Sequence, residues 1–380
     1  MKVSRTAFRH RRNFALALAS EGAGLLLRGV ASAWARGTPT EPSSWRRGLI
    51  IGHSHIGDVL YRTCSLDQLK TGLPACRWDY LTTPSAAVVL QNNPAIASVL
   101  PLGVDDDKPS LAREAFGLLR EANYDVVLCS NTVRPVRDFA LAAALGIPNR
   151  VGIGNKGYSG LLTTPVWMEY PQAGPAYFRA IVSAVLNAAP DWPLRPRVFS
   201  SAMDRSRATE CLRGLSLDAS LPTIACTMTT RQKVGAWPPS FFASVLKRAV
   251  TERPANLVLF GAAGDGALLR QMTRDLPSTT RVVAGALDWL GFAEALRHCD
   301  ALLAMDSGPR HLANAVGTPV LFARNLAVSR FETGTYCENE TDLAPSLAEY
   351  LNGAEVSALV QTVSVRHAAA LLLGLLSRRS

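Results

Sequence analysis

The sequence predicts an α/β protein built from two doubly wound domains, and three observations carry that reading. Short apolar runs alternate with segments of helical spacing, the mark of parallel strands covered by helices on both faces. The alternation breaks once, at the Pro-rich stretch "APDWPLRPR" (189–197), and then restarts. The chain has 380 residues, 48% hydrophobic and 18% charged, which is enough for two cores.

The first series opens after the Pro/Ser stretch "GTPTEPSSW". "GLIIGHSHIGDVLYRTCSLDQLKTGLP" reads strand, loop, helix, with Val59, Leu60, Thr63, Cys64, Leu66 and Leu69 at helical spacing and Gly72-Leu-Pro closing it,. Strands follow at "RWDYLTTP", "ASVLPL", "YDVVLCSN" and "NRVGIG", with helices between them. The second series holds strands at "TIACTM", "ANLVLFGAAGD", "RVVAGA", "DALLAMD" and "PVLFA". Its helices include one that starts at the two prolines of "PPSFFASVLKRAVTE",. These runs predict an N-terminal arm over 1–47, a first domain over 48–195 and a second over 205–350. An apolar helix within 355–380 is expected to pack back on the first domain.

The formal charge of +10 is not spread over the fold. Residues 1–48 hold nine Lys/Arg against Glu21 and Glu41, whereas the rest of the chain has 31 basic and 28 acidic residues. A near-neutral body without an aromatic-basic face argues against nucleic acid. A basic arm suits an anionic membrane surface, where each basic residue contributes about 1 kcal/mol. "RRNFALALASEGAGLLLRGVASAWARG" has some features of an export signal, but Glu21 and Arg28 interrupt it,. Its apolar positions form no single clean helical stripe. A peripheral, membrane-associating segment of a cytoplasmic protein is therefore expected, with a solvated tail as the alternative. The seven cysteines are scattered, with no CxxC pair, which fits a reducing compartment and predicts neither a metal site nor a cofactor.

Four stretches carry candidate chemistry. In "AMDSGPRHLANAVGTPVLF" (304–322) a strand ends in Asp306 and hands over to a helix. Free N–H groups at such a helix start, with the hydroxyl of Ser307 and the close backbone approach that Gly308 permits, suit a phosphate. Asp306 would accept hydrogen bonds from hydroxyls beside it; plain N-capping by Ser307 or Asp306 is the alternative. In "HIGDVL" (55–60), Gly57 allows a tight turn and Asp58 stands in the first helical turn. The helix dipole favours its ionised form there, which suits it to take a proton. In "TTRQKVGAWPP" (229–239), Arg231 and Lys233 could neutralise a departing diphosphate,. In "LVLFGAAGD" (257–265), Gly261 and Gly264 followed by Asp265 resemble a nucleotide-binding turn,.

Taken together with "DYLTTPSAAVVLQNNPAIASVL" (79–100), "YDVVL" (124–128), "NRVGI" (149–153) and "WPPSFFASVL" (237–246), these stretches resemble glycosyltransferase family 9, the heptosyltransferases of lipopolysaccharide core assembly. The resemblance runs over about residues 48–325. It implies a GT-B fold of two facing Rossmann-like domains. It also implies metal-independent, inverting transfer from a nucleotide sugar, typically ADP-heptose, to a glycolipid or oligosaccharide acceptor. Asp58 matches the general base, and Gly57 and His55 stand on the acceptor-side loop. Asp306 matches the residue that holds the donor sugar. Ser307 and Gly308, with His311 close by, match the diphosphate turn, and Asp265 the acid near the donor ribose. The chain departs from the family pattern at Gly52-His53-Ser54-His55, at Gly235 and at Ala323-Arg324. A nucleotide-sugar epimerase of the same architecture and a non-catalytic nucleotide-sugar-binding protein are the competing readings.

Overall fold

A computed structural model describes residues 19–52, 55–101, 113–130, 135–169, 172–230, 235–326, 334–345 and 356–377. The chain forms two compact units, Met1–Leu194 and Arg195–Ser380. The division falls inside the Pro-rich stretch at 189–197.

In the first unit, β1 (Arg47–Ile51), β2 (Arg77–Leu81), β3 (Ser98–Leu100), β4 (Val126–Cys129), β5 (Asn149–Ile153) and β6 (Thr164–Val166) form one sheet in the order β3-β2-β1-β4-β5-β6. Every pairing is parallel. The second unit repeats this plan. It contains β7 (Thr223–Thr227), β8 (Asn256–Gly261), β9 (Arg281–Ala284), β10 (Ala301–Met305), β11 (Val320–Ala323) and β12 (Glu340–Leu343), in the order β12-β11-β10-β7-β8-β9. In both sheets the order reverses between the first and fourth strands. Such a switch point, at the carboxyl ends of the strands, is where open α/β sheets bind ligands. It lies between β1 and β4 in one unit and between β7 and β10 in the other.

Burial explains why the strands read as continuous apolar runs. Leu49, Ile50 and Ile51 of β1 and Leu302, Leu303 and Ala304 of β10 are fully buried, as helices on both faces require. Two strands have no counterpart in the sequence reading, β6 and β12, and neither do the helices Gly174–Leu186 and Ala202–Gly214. The helix Val365–Leu376 corrects another expectation. Its Ala368, Ala369, Leu372 and Leu375 join the core of the second unit with Phe242, Val245 and Leu246, so its apolar face is used there rather than for packing on the first.

Residues 19–33 form a helix, although their apolar positions make no single inward stripe in the sequence. The residues that face the body of the first unit are small. A Cβ on Gly24 would lie 2.5 Å from the Tyr158 Cα, and one on Gly160 would lie 2.2 Å from the Gly24 carbonyl oxygen. Ala31 is buried in the unit's core. The Ser159 amide donates to the Glu21 carboxylate at 3.1 Å, and the Ser159 hydroxyl donates to it too. Past the helix, Arg36 donates to the Arg120 carbonyl at 2.7 Å and to the Asn123 side chain at 2.8 Å. Gly160→Ala forces a methyl against backbone that cannot yield, which costs about 1–3 kcal/mol. The expected result is faster amide exchange across 19–33 with unchanged protection in β1 and β4. Equal protection of the helix in the variant would contradict this packing.

Candidate functional site

In the first unit, the helix Ile56–Arg62 follows β1, with exposed His55 at its N-cap and Gly57 buried. Asp58 is half-buried in the first turn, where the Tyr61 hydroxyl donates to its Oδ1 at 2.6 Å. Burial, and then the Asp58 charge, push the Tyr61 hydroxyl well above its ordinary pKa, so it stays a donor. Below it, Arg62 is fully buried and donates to the Ser130 carbonyl at the end of β4, at 3.1 and 3.3 Å. This cation, next to Tyr80, Tyr61 and Asp58, ties the helix to the switch point,. Tyr61 and Arg62 were not singled out from the sequence. Their spacing of three and four residues from Asp58 is the signal that could have found them.

In the second unit, β10 ends at Met305 and the helix Gly308–Val316 starts with Ser307 at its N-cap. Neither cap anticipated from sequence forms. The Ser307 hydroxyl turns back to the Met305 carbonyl at 3.2 Å. Asp306 accepts from Arg310 at 2.6 Å. The helix start, with Gly308 buried and Pro309 behind it, keeps its dipole without a side-chain cap,. Asp306 is thus no isolated carboxylate: its side chain is 6% exposed and paired with a fully buried cation.

Arg310 organises this end of the sheet. It also donates to both oxygens of Glu340, at 2.7 and 3.1 Å, and to the Gly334 carbonyl at 2.7 Å, and its guanidinium stacks 3.5 Å over the Phe322 ring. Burial works against its charge, but Asp306 and Glu340 outweigh burial and hold its pKa above the ordinary value,. Glu340, the first residue of β12, further accepts from Asn314 and from the Tyr336 amide. Helix, strand end and sixth strand are therefore locked together.

His311 stands beside this cluster, its Nδ1 2.5 Å from the Tyr336 hydroxyl and its ring stacked on that of Tyr336 at 5.6 Å. Burial, then the Arg310 charge, lower its pKa well below 6.5, so the imidazole is neutral. On unfolding the ring regains its ordinary pKa and takes up a proton that the folded chain does not bind below that value. The stability it contributes is complete above pH 6.5 and is lost as pH falls toward the folded value,. His311→Gln is expected to flatten the pH dependence of the unfolding free energy below 6.5, by at most about 1.4 kcal/mol per pH unit. Urea titrations across that range check it.

A pocket of about 220 Å³ opens at the carboxyl ends of the second unit's strands. Phe260, Val283, Leu287, Trp289, Phe292 and Pro309 give it apolar walls, and Phe260 and Phe292 lie 5.0 Å apart. Gly261, Thr227 and Thr229 line it too. The Thr227 hydroxyl is buried without a hydrogen-bond partner, so it is a group that a ligand could satisfy. Asp265 closes the turn after β8: its Oδ2 accepts from the Ala262 amide at 2.9 Å and from the Thr229 hydroxyl at 3.0 Å. A Cβ on Gly261 would meet Asp265 at 2.9 Å, so this glycine is required by the turn. Thr227, Thr229 and the aromatic walls were absent from the sequence reading.

Arg231 and Lys233 lie outside the described residues. Two departures from the family pattern turn out to be neighbours. Gly235 takes a left-handed φ of 78° and accepts from the Leu326 amide at 3.1 Å. The Arg324 carbonyl accepts the Trp237 indole at 2.8 Å, and its guanidinium pairs with Asp342. Among the described residues no cluster of three or more His, Cys, Asp or Glu could hold a metal ion. None of the seven cysteines is in a disulfide; Cys64, Cys76, Cys129, Cys226 and Cys299 are buried, and Cys211 and Cys337 half-buried.

Two Rossmann-like sheets, each with a switch point, place the chain in the two-domain α/β class of the GT-B fold. The model of glycosyltransferase family 9 (heptosyltransferase) matches residues 113–323, more than half of the chain. The protein belongs to that family and is an enzyme. It is 21% identical over 284 residues to lipopolysaccharide heptosyltransferase 1 of Pseudomonas aeruginosa, covering 72% of this chain and 77% of that one. Among solved structures, a family 9 glycosyl transferase from Veillonella parvula aligns with a TM-score of 0.73 at 16% identity, over 90% of this chain and all of that one. The ADP-heptose lps heptosyltransferase II of E. coli aligns with a TM-score of 0.66 at 20% identity, over 88% of this chain and all of its own.

Proposed function

We propose that the enzyme moves heptose from ADP-heptose to a hydroxyl of a lipopolysaccharide-core acceptor, in the cytoplasm, with inversion at the anomeric carbon. The observation that carries this reading is the second unit's pocket. Its aromatic walls suit a nucleobase, and Pro309 brings the uncapped helix start to its edge, where a diphosphate would meet backbone N–H groups. The names of the relatives support the sugar and the acceptor class.

In this scheme Asp58 removes the proton of the acceptor hydroxyl. The freed oxygen attacks the anomeric carbon opposite the diphosphate. The bond between that carbon and the diphosphate oxygen breaks, and its electron pair leaves with the diphosphate. The N-terminus of Gly308–Val316, with Arg231 and Lys233, meets that charge in place of a metal or any other cofactor. Asp306, oriented by Arg310, accepts from sugar hydroxyls. Asp265, close to Gly261, stands near the ribose, and neutral His311 borders the diphosphate without adding charge. Gly57 and His55 face the acceptor.

Calorimetry with ADP-, GDP-, UDP- and dTDP-sugars tests the donor. The ADP-sugar is expected to bind, and the variant Thr227→Val to bind it more weakly. Turnover of the donor without acceptor would favour epimerisation instead. Equal binding of all four donors would remove the basis for the nucleobase assignment.

A further inference from the structure

The helix at 19–33 turns its small residues inward and its large apolar ones outward. Leu26 is 84% exposed, Val30 44% and Trp34 56%. They are spaced four residues apart and so share one face, which Leu27, 43% exposed, widens. Between residues 22 and 35 the only charged residue is Arg28. Five large apolar side chains exposed together, counting Leu25 beside the row, on a helix held by backbone contact and by the Glu21–Ser159 bonds, are unusual on a surface that meets only water,.

We propose that this row is a lipid contact: it enters the headgroup region of an anionic phospholipid bilayer, with the helix lying in the plane of the surface. The charge of the sequence leading into the helix selects this occupant. The chain before the helix carries Lys2, Arg5, Arg9, Arg11 and Arg12 with no acid before Glu21. Glu21 itself is engaged by Ser159. An apolar helix face preceded in sequence by a run of cations is the pattern of helices that lie on membranes. Tryptophan at the end of such a row favours the interface between headgroup and chain. No helix among the described residues is long and apolar enough to cross a membrane, so the contact is peripheral. The helix is held on the unit that contains Asp58, and the inference holds whichever sugar is transferred.

Co-flotation of the full chain with vesicles tests it. Binding is expected to phosphatidylcholine/phosphatidylglycerol vesicles and to weaken as salt rises. Leu26→Glu with Val30→Glu is expected to lower that binding by about tenfold or more while the thermal unfolding temperature stays the same, since both positions are exposed. Added vesicles should shift tryptophan emission to the blue, and Trp34→Phe should remove that shift. If the glutamate pair fails to fold, Leu26→Ser with Val30→Ser makes the same comparison. Three results would overturn the proposal: no binding to anionic vesicles, binding that the double variant leaves unchanged, or a dimer in light scattering that the double variant dissociates without any vesicle binding. The last would assign the row to a second copy of the chain.

Discussion

Asp58→Asn is expected to lower the rate of sugar transfer by about 10²–10⁴-fold, the range for loss of a general base. The affinity for the nucleotide sugar should stay the same. The substitution keeps the shape of the side chain and a carbonyl oxygen to accept from Tyr61, so the Ile56–Arg62 helix should hold its geometry. What is lost is the ability to carry a proton. In the proposed scheme donor affinity depends on the second unit's pocket, whose lining residues all lie beyond Arg195. Steady-state kinetics with calorimetry on the same preparation separates the two. A variant that turns over at the parental rate would move the base to another residue.

Arg310→Met is expected to destabilise the second unit strongly. The side chain is 1% exposed and pairs with carboxylates that are themselves 6% and 0% exposed. Removing one member of a buried ion pair costs about 3–5 kcal/mol, because the charges left behind have lost both water and partner. For a unit of this size that corresponds to a fall of roughly 6–20 °C in the unfolding midpoint. Arg310→Lys should fall between the two, since an ammonium restores charge but not the fork that spans both carboxylates. Scanning calorimetry of both variants checks each statement. A midpoint for Arg310→Met within a degree or two of the parent would mean that the pair contributes little.

The sequence makes the alternating architecture plain because buried parallel strands have to be apolar along their whole length. It hides β6 and β12 for opposite reasons. Thr164-Pro165-Val166 is three residues with a proline, which reads as a turn. Glu340–Leu343 is mostly polar because its glutamate answers Arg310 and its aspartate Arg324. The helix at 19–33 misleads through its packing: backbone-to-backbone contact at Gly24 and Gly160 replaces the usual inward stripe of large side chains. The placement of Asp58, Asp265, Asp306 and Ser307 at strand ends and helix starts was legible because glycine, serine and aspartate are informative there. The partner of Asp306 was visible four residues on, but Glu340 is thirty residues from Arg310 and no local pattern links them. The aromatic walls come from two segments that only the sheet order brings together.

The distribution of thiols gives the protein a built-in reporter position. Burial pushes Cys64 up to about 11 and Cys76 up to about 12, and raises Cys226 further, so these sulfurs stay protonated and out of reach of electrophiles. A maleimide dye offered to the unmodified chain is left with the half-buried Cys211 and Cys337. Cys337 adjoins Tyr336, which stacks on His311. A Cys211→Ser background would therefore place one fluorophore beside the loop expected to grip the diphosphate, and nucleotide-sugar occupancy could be followed optically in real time.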